Sequence, residues 1–351
     1  MFLALKEILF HKSRYRLVIS VVFLVTYMIF FLSSLSNGLA RSNRLVLENW
    51  QAKSVVLSEY ANNNLTASTI KQADYRDWLS DNIVEVGQLS VVINKPDGTK
   101  INTNIFGVDF SQFVAPTIIE GRAATAAQEL VIDKAMTNNQ LQLGDQVQIN
   151  GSDTLYTIVG FTENNRFFTQ PAIFMSLSDF RTLKYGSADN LNSSLLVIRD
   201  DTQLAIEGLK QISIPTLIQA IPGYQAQLMT FNFMIGAMVA ITFLVLAIFM
   251  YILTLQKTSL YGIMRAQGIS TKAIVSSIFY QIGLLVAVGT GLALIAIFAT
   301  QFILPARLPF YSSWQGYSIL TGTILITSLF GGLLSIRKVI AIDPINAIGG
   351  E

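Results

Sequence analysis

The sequence contains no cysteine, one histidine and few charged residues. Without cysteine, the chain can form neither a disulfide framework nor a thiolate metal site. The one histidine, His11, lies among basic residues near the start of the chain, where we expect it to face lipid headgroups rather than to bind a metal. Charged side chains make up 13% of the 351 residues and hydrophobic ones 52%, whereas a soluble domain has about 25% charged residues. The composition therefore indicates an integral membrane protein.

Two further absences concern energy and catalysis. No segment matches the phosphate-binding pattern GxxxxGK followed by Ser or Thr, so we expect that the chain does not hydrolyse ATP itself. No Asp, Glu, Lys or Arg lies within the long apolar runs, which argues against an ion relay through the membrane. We therefore predict that the chain is not an enzyme and that the energy for any transport comes from another polypeptide.

Four uncharged stretches are long enough to cross a bilayer, which takes about 20 apolar residues. A polar block, which holds 14 of the 24 basic and 19 of the 22 acidic residues, separates the first stretch from the second. We predict an α-helical membrane domain of four transmembrane helices, with a mixed α+β domain inserted between helices 1 and 2. The predicted order is an interfacial helix over 1–15, a span over 16–40, the α+β domain over 41–228, a span over 229–256, a surface segment over 257–272, a span over 273–304, a loop over 305–316, a span over 317–336 and a tail over 337–351.

The distribution of basic residues predicts the orientation. Nine of the ten basic residues outside the polar block fall into three groups that a four-span chain places on one side. The positive-inside rule identifies that side as the cytoplasm. We therefore predict a multi-pass protein of the cell membrane with cytoplasmic termini and an extracellular α+β domain. The three groups are Lys6, Lys12, Arg14 and Arg16 before the first span, Lys257, Arg265 and Lys272 between the second and third, and Arg337 and Lys338 after the fourth.

The surface segment 257–272, KTSLYGIMRAQGISTK, is basic and amphipathic. As a helix it would place Leu260, Ile263 and Met264 on one face and direct Arg265 towards the headgroups. A helix of about two turns is not stable alone in water, so something should pack on it. Two interpretations stay open: a solvated basic loop that only sets the orientation, and a docking helix for a soluble partner.

Alternating apolar residues and turn signals in the polar block predict a mixed α+β domain. No residues in this block have a spacing typical of a catalytic site. We predict strands over 54–58, 89–93, 101–107, 130–132, 146–149, 156–161 and 195–198, and helices over 41–50, 68–79, 134–139 and 203–210.

Three passages carry a resemblance to a known family. They are ELVIDKAM with LQLGDQVQI and YTIVGFT in the polar block, LYGIMRAQGIS after the second span, and DPINAIGG at the end of the chain. Together with the order of one span, a large domain and three spans, they make the chain similar to the type VII permeases of ABC transporters, the FtsX and MacB group. The resemblance implies a homodimer that works with two copies of a separate cytoplasmic ABC ATPase. It further implies that Leu260, Tyr261, Ile263, Met264 and Arg265 couple the permease to that ATPase.

Within this family, the opening LALKEILFHKSRYRL, the LPFY loop and the closing DPINAIGGE resemble the haem-exporting permeases of Gram-positive bacteria. This resemblance implies ATP-driven efflux of haem and a role in haem detoxification, with haem as cargo and not as a permanently bound cofactor. Other members of the family export antimicrobial peptides, release lipoproteins or act mechanically on cell-wall hydrolases. These functions stay open as alternatives.

A haem site needs an apolar slot, an iron donor and polar groups for the two propionates. Since His11 lies on the predicted inner side, the possible donors are methionine, tyrosine or carboxylate, and Met28 or Glu163 is the expected one. We expect a slot formed where the first and second spans of two copies meet. Plain packing is the alternative, because methionine in a spanning helix usually fills space. The candidates are Met28, Tyr27 and Phe31 on the first span, Met229 at the start of the second, and Glu163 and Arg166 in the loop after a predicted strand.

Overall fold

A computed structural model describes residues 10, 12–305 and 308–340, with side chains described as far as residue 333. The chain divides into two compact units. The helical unit comprises Met1–Asn37 and Met229–Glu351, and the sheet unit comprises Gly38–Leu228. Most of the predicted interfacial helix over 1–15, including His11, and most of the predicted tail over 337–351 lie outside the described residues.

The described residues form eight α-helices, and four of them are long and apolar enough to cross a membrane. These four are the first, fifth, seventh and eighth, and the strands of the sheet unit lie between the first and the fifth along the chain. The fold is therefore four membrane helices with a mixed α+β domain inserted between the first two, as predicted. The helices are α1 (Lys12–Asn49), α2 (Gln72–Tyr75), α3 (Leu177–Tyr185), α4 (Ile214–Gln219), α5 (Tyr224–Leu255), α6 (Thr258–Ala266), α7 (Thr271–Ile303) and α8 (Trp314–Ile340).

Local hydrogen bonds, rather than the limits of the apolar runs, set where two of the long helices begin. α5 begins at Tyr224, ahead of the apolar run, where the Gly223 carbonyl accepts a hydrogen bond from the Gln227 backbone N–H at 2.9 Å. The Tyr224 ring is buried in the sheet unit, and its hydroxyl accepts a hydrogen bond from Arg44 Nη1 at 2.5 Å. α8 begins at Trp314 because Ser313 accepts hydrogen bonds from two backbone N–H groups of the first turn. Unpaired N–H groups at a helix start need such acceptors.

A buried apolar cluster joins α1, α5, α6, α7 and α8 in the helical unit. α1 and α7 approach each other closely at Gly289, where a Cβ atom would lie 2.7 Å from Cγ1 of Val22. Small residues allow such close approach between spanning helices. The cluster includes Tyr15, Val18, Val22, Ile29, Leu246, Met250, Tyr261, Ile278, Ile282, Leu285 and Ile324.

The sheet unit is built on one mixed sheet, which has eleven strands among the described residues. The strand order is β11-β1-β10-β2-β3-β9-β5-β7-β4, while β6 pairs with β2 and β7, and β8 pairs with β9. The pairs β3–β9 and β5–β7 are parallel and the others antiparallel. The strands are β1 (Ser54–Ser58), β2 (Ile83–Asn94), β3 (Lys100–Val108), β4 (Ile118–Gly121), β5 (Glu129–Asp133), β6 (Gln146–Ile149), β7 (Leu155–Thr162), β8 (Arg166–Phe167), β9 (Gln170–Ser176), β10 (Leu195–Ile198) and β11 (Leu209–Ser213).

Both faces of the centre of the sheet are buried. Along β9, Ile173 enters an apolar cluster with Phe180 of α3, whereas its neighbour Phe174 enters a second cluster with Trp50, which follows α1. Successive side chains of a strand point to opposite faces, so both faces must be covered. This explains why the central strands read as continuous apolar runs instead of alternating patterns.

The predicted helix over 68–79 is wrong. Only α2 is α-helical there, and a 3₁₀ turn, Arg76–Trp78, follows it. The helix ends because Tyr75 adopts φ −133° and ψ 0°, which buries its ring and lets its hydroxyl donate to Glu85 Oε2 at 2.6 Å. Tertiary contacts of one aromatic residue therefore override the helical propensity of the segment.

The predicted helix over 203–210 is also wrong. Gly208 turns the chain with a φ of +74°, and Leu209 then enters β11, which pairs with β1. The segment over 134–139 is helical as predicted, but it is a 3₁₀ helix capped by Asp133. β9 and α3 lie outside the predicted elements. β9 begins with the sequence Gln-Pro, which is unusual for a strand in the middle of a sheet.

The packing of α3 on the sheet depends on Gly87 of β2. A Cβ atom at Gly87 would lie 2.2 Å from Cε1 of Phe180, so we expect Gly87→Ala to destabilise the sheet unit by about 1–3 kcal/mol through overpacking. The measurement is thermal unfolding of the full chain in detergent. The double variant of Gly87→Ala and Phe180→Leu lacks the clashing ring atoms. It should lose less free energy of unfolding than the two single variants lose in sum. If the double variant loses as much free energy of unfolding as the two single variants together, the assignment of the clash is contradicted.

Candidate functional site

The predicted surface segment contains a short helix with two different sides. In α6, Tyr261 is 4% exposed and packs in the apolar cluster of the helical unit, and Met264 packs against the same cluster. Leu260 and Ile263, in contrast, are 50% and 43% exposed. Arg265 is half-buried. Four of the five residues of the coupling prediction therefore divide into an inner pair that anchors the helix, Tyr261 and Met264, and an outer apolar pair that is exposed, Leu260 and Ile263.

An aromatic cluster packs against one side of the middle of α1. Tyr27 and Phe31 lie on the side of α1 that faces α7 and α8, with ring centroids 6.3 Å apart. The Tyr27 hydroxyl lies 3.0 Å from Thr300 Oγ1 of α7, and the Phe31 ring lies 5.7 Å from the Phe310 ring. These two candidate residues therefore pack within their own chain.

Met28 lies on another side of α1. Its side chain is 41% exposed and continues a stripe with Leu24, which is 57% exposed one turn earlier. Met229 of α5 is 67% exposed. The structure thus separates the candidates of the helical unit: the two methionines face outwards, while the two aromatic residues face inwards.

Glu163 and Arg166 belong to the sheet unit. Glu163 is exposed in the loop between β7 and β8 and lines a cavity of about 330 Å³, together with Asn49, Trp50 and Pro116. Arg166 is half-buried in β8. Apart from Glu163, the residues that line the cavity are not among the predicted site residues, because they come from segments that are distant in sequence.

Two side chains, the buried Asp133 and the exposed Asn49, fix the shape of this loop. Asp133 accepts a hydrogen bond from the Asn165 backbone N–H at 2.7 Å, and Asn49 Nδ2 donates to the Asn164 carbonyl at 2.9 Å. Burial raises the pKa of Asp133, while its hydrogen bonds and the charge of Arg166 oppose the shift. Glu163 is therefore presented from a rigid loop.

Metal chemistry has little support in the part of the chain that the structure describes. No group of three or more His, Cys, Asp or Glu side chains there could hold a metal ion. A haem iron needs only one or two axial donors, so this finding does not bear on Met28 or Glu163 as donors.

A family model described as the FtsX-like permease C-terminal domain matches residues 232–344. A Staphylococcus haemolyticus protein named as the hemin transport system permease protein HrtB is 31% identical over 99% of both chains. The chain belongs to the FtsX-like family of ABC transporter permeases. A protein of the same name from Staphylococcus epidermidis is 29% identical to this permease, again over 99% of both chains.

Two solved structures are also similar to parts of the permease. The periplasmic region of MacB from Actinobacillus actinomycetemcomitans aligns with a TM-score of 0.36 at 13% identity, covering 50% of this chain and 96% of that one. The extracellular domain of the transporter YknZ aligns with a TM-score of 0.33 at 12% identity, covering 43% of this chain and 84% of that one.

The inward and outward sides of α1 can be told apart by stability. We expect Tyr27→Ala to lower the free energy of unfolding by roughly 2–4 kcal/mol, because it removes a half-buried ring from a packed cluster. Met28→Ala, at an exposed position, should change it by less than about 1 kcal/mol. Thermal unfolding in detergent, followed by intrinsic fluorescence, measures both variants. Equal losses would contradict the assignment of the two sides.

Proposed function

We propose that this chain is the permease subunit of an ABC-type efflux pump that extrudes haem from the cell membrane. The observation that carries the proposal is the similarity to the two staphylococcal hemin transport permeases, which extends over 99% of each chain. The similarity therefore includes the sheet unit as well as the helices. Haem is the cargo, and a separate ATPase supplies the energy.

The exposed faces of α1 and α5 support a homodimer. α5 is the least covered of the four described spans: 22% of its most apolar stretch is buried within one chain, against 28% for α8 and 39% for α1 and for α7. A second copy placed against α5 and the outward stripe of α1 would cover these side chains. The gap between the two copies is the proposed slot, open sideways to the outer leaflet.

Within this slot, the outward thioethers of Met28 and Met229 are the favoured contacts for haem. Methionine sulfur is a known axial donor to haem iron, and both side chains are exposed. Tyr27 and Phe31 would support Met28 from behind and would not touch the cargo. Glu163 is the alternative iron donor, with Arg166 as a partner for a propionate.

The proposed sidedness rests on the three groups of basic residues before the first span, between the second and third, and after the fourth. We propose that the termini and α6 are cytoplasmic, that the sheet unit is extracellular, and that Leu260 and Ile263 dock on the ATPase. ATP binding would then close the ATPase dimer and displace α6. The displacement narrows the slot and drives haem outwards.

Haem binding tests the proposed cargo. Haemin titrated into the detergent-purified dimer should give a saturable Soret shift, which Met28→Leu and Met229→Leu should weaken or alter because they keep volume but remove the sulfur. Met238→Leu is the matched control, since Met238 is half-buried and packs against the apolar cluster of its own chain.

No shift beyond that of haemin in detergent alone would remove haem as the cargo. Export of peptides or lipoproteins, or mechanical action on a cell-wall hydrolase, would then be the leading functions. A shift that is unchanged in both methionine variants but lost in Glu163→Gln would move the iron donor to the sheet unit.

Docking on the ATPase is tested by co-purification. Leu260→Asp and Ile263→Asp should each weaken association with the ATPase by roughly 30-fold, the loss typical of an anchor residue at an interface. Tyr60→Asp is the control, because Tyr60 is 91% exposed in the sheet unit. Unchanged association in both α6 variants would disprove the docking assignment.

A further inference from the structure

A chain of hydrogen bonds, buried at Tyr15 and Gln281 and half-buried at Lys257, ties α6 to α1 and α7. Lys257, which caps the start of α6, donates from Nζ to the Tyr15 hydroxyl of α1 at 2.9 Å. That hydroxyl donates in turn to Gln281 Oε1 of α7 at 3.4 Å. Tyr15 and Gln281 are each 1% exposed. The Tyr15 hydroxyl of α1 is thus hydrogen-bonded both to Lys257, at the start of α6, and to Gln281 of α7.

The direction of Lys257 is unexpected for a residue that only orients the chain. A lysine in that role extends to the headgroups, whereas the Lys257 ammonium turns inwards and lies 5.5 Å from the centroid of the Tyr15 ring. Burying polar groups in an apolar bundle is costly unless they bond to each other. The three side chains meet that condition together.

Two neighbouring contacts strengthen the same junction. Tyr261, one turn along α6, packs in the apolar cluster that contains Tyr15. Arg14 Nη1 donates to Gln256 Oε1 at 2.5 Å, directly before α6. The inner side of α6 is therefore fixed to the start of α1, while Leu260 and Ile263 stay exposed on its outer side.

Chain connectivity leaves α1 dependent on non-covalent contacts for any movement that starts at α6. α6 follows α5 and precedes α7 along the chain, so a displacement of α6 reaches both helices through the backbone. α1 lies more than 200 residues earlier in the sequence and has no such link. Any movement of α6 that is to reach α1, and with it Met28, must pass through non-covalent contacts.

We propose that Tyr15 is a positioning residue that transmits movement of the coupling helix to α1 through the Lys257–Tyr15–Gln281 chain. The proposal rests on the proposed function, since it assumes that an ATPase displaces α6. Its first readout, the change in label distances, does not depend on the identity of the cargo, whereas its second readout uses haem. It predicts that without the phenol hydroxyl, ATP still moves α5 and α7 but no longer moves α1.

The test measures distances between the two copies in the complex of permease and ATPase in nanodiscs. Since the chain has no cysteine, a single cysteine can carry a spin label at Leu24 of α1 or at Ile295 of α7, both of which are exposed. In the natural sequence, ATP should change both label distances. In Tyr15→Phe, the Ile295 label should still respond, whereas the response of the Leu24 label is lost.

The same complexes give a second readout. Coupling energies between sites typically correspond to changes of 5- to 150-fold, so haem-stimulated ATP hydrolysis should fall about tenfold in Tyr15→Phe while basal hydrolysis is retained. Lys257→Met should reproduce both effects, and it provides a second variant if Tyr15→Phe folds poorly. Tyr280→Phe is the matched control, because Tyr280 is 52% exposed on α7.

The outcomes separate this inference from the proposed function. A Leu24 label that responds to ATP equally in the natural sequence, Tyr15→Phe and Lys257→Met overturns the role of Tyr15 and leaves the pump intact. A natural sequence that binds no ATPase, or in which neither label responds to ATP, overturns both. Loss of both label responses in Tyr15→Phe would show a general defect in α6 docking and would also overturn the proposed route.

Discussion

The helical unit depends on hydrogen bonds of tyrosine hydroxyl groups that hold α1 against its neighbours. Tyr15 bonds to Gln281 and Tyr27 lies within hydrogen-bond distance of Thr300, both on α7, while Tyr317 of α8 lies 2.5 Å from Ser34 Oγ. In a bilayer, an apolar side chain gains little free energy when it moves from lipid to a helix interface, because both surroundings are apolar. Packing and polar contacts of this kind therefore decide which helices face each other. The contacts occur near both ends of the span and set the rotation of α1.

That rotation decides which side chains of α1 are exposed, and therefore which ones could contact the proposed cargo. With the aromatic side of α1 turned towards α7 and α8, the outward side presents Leu24 and Met28. An aliphatic and thioether surface suits a flat, apolar molecule such as haem and also suits a second copy of the chain. The same rotation that stabilises one copy therefore defines the surface on which the proposed slot is built.

The sheet unit solves a different problem, which is to hold polar loops rigidly on a sheet that is buried on both faces. Asp133 is buried at the end of a central strand, where it accepts backbone hydrogen bonds that shape the loop of Glu163. α6 likewise combines residues that hold it in place with residues that are exposed. Its inner residues pack and bond within the chain, and its outer residues remain available.

The sequence by itself determined the number of spans, the inserted α+β domain and the family, because these follow from long apolar runs and contiguous motifs. It also predicted Met28 as a possible haem-iron donor and a short amphipathic helix within residues 257–272, where α6 lies. Only the tertiary structure decided that Tyr27 and Phe31 face inwards, that Tyr75 ends α2, and that β9 lies in the middle of the sheet. The pairing of Lys257 with Tyr15 likewise joins residues far apart along the chain. Local periodicity shows that a face exists, but which neighbour covers that face depends on contacts between distant segments.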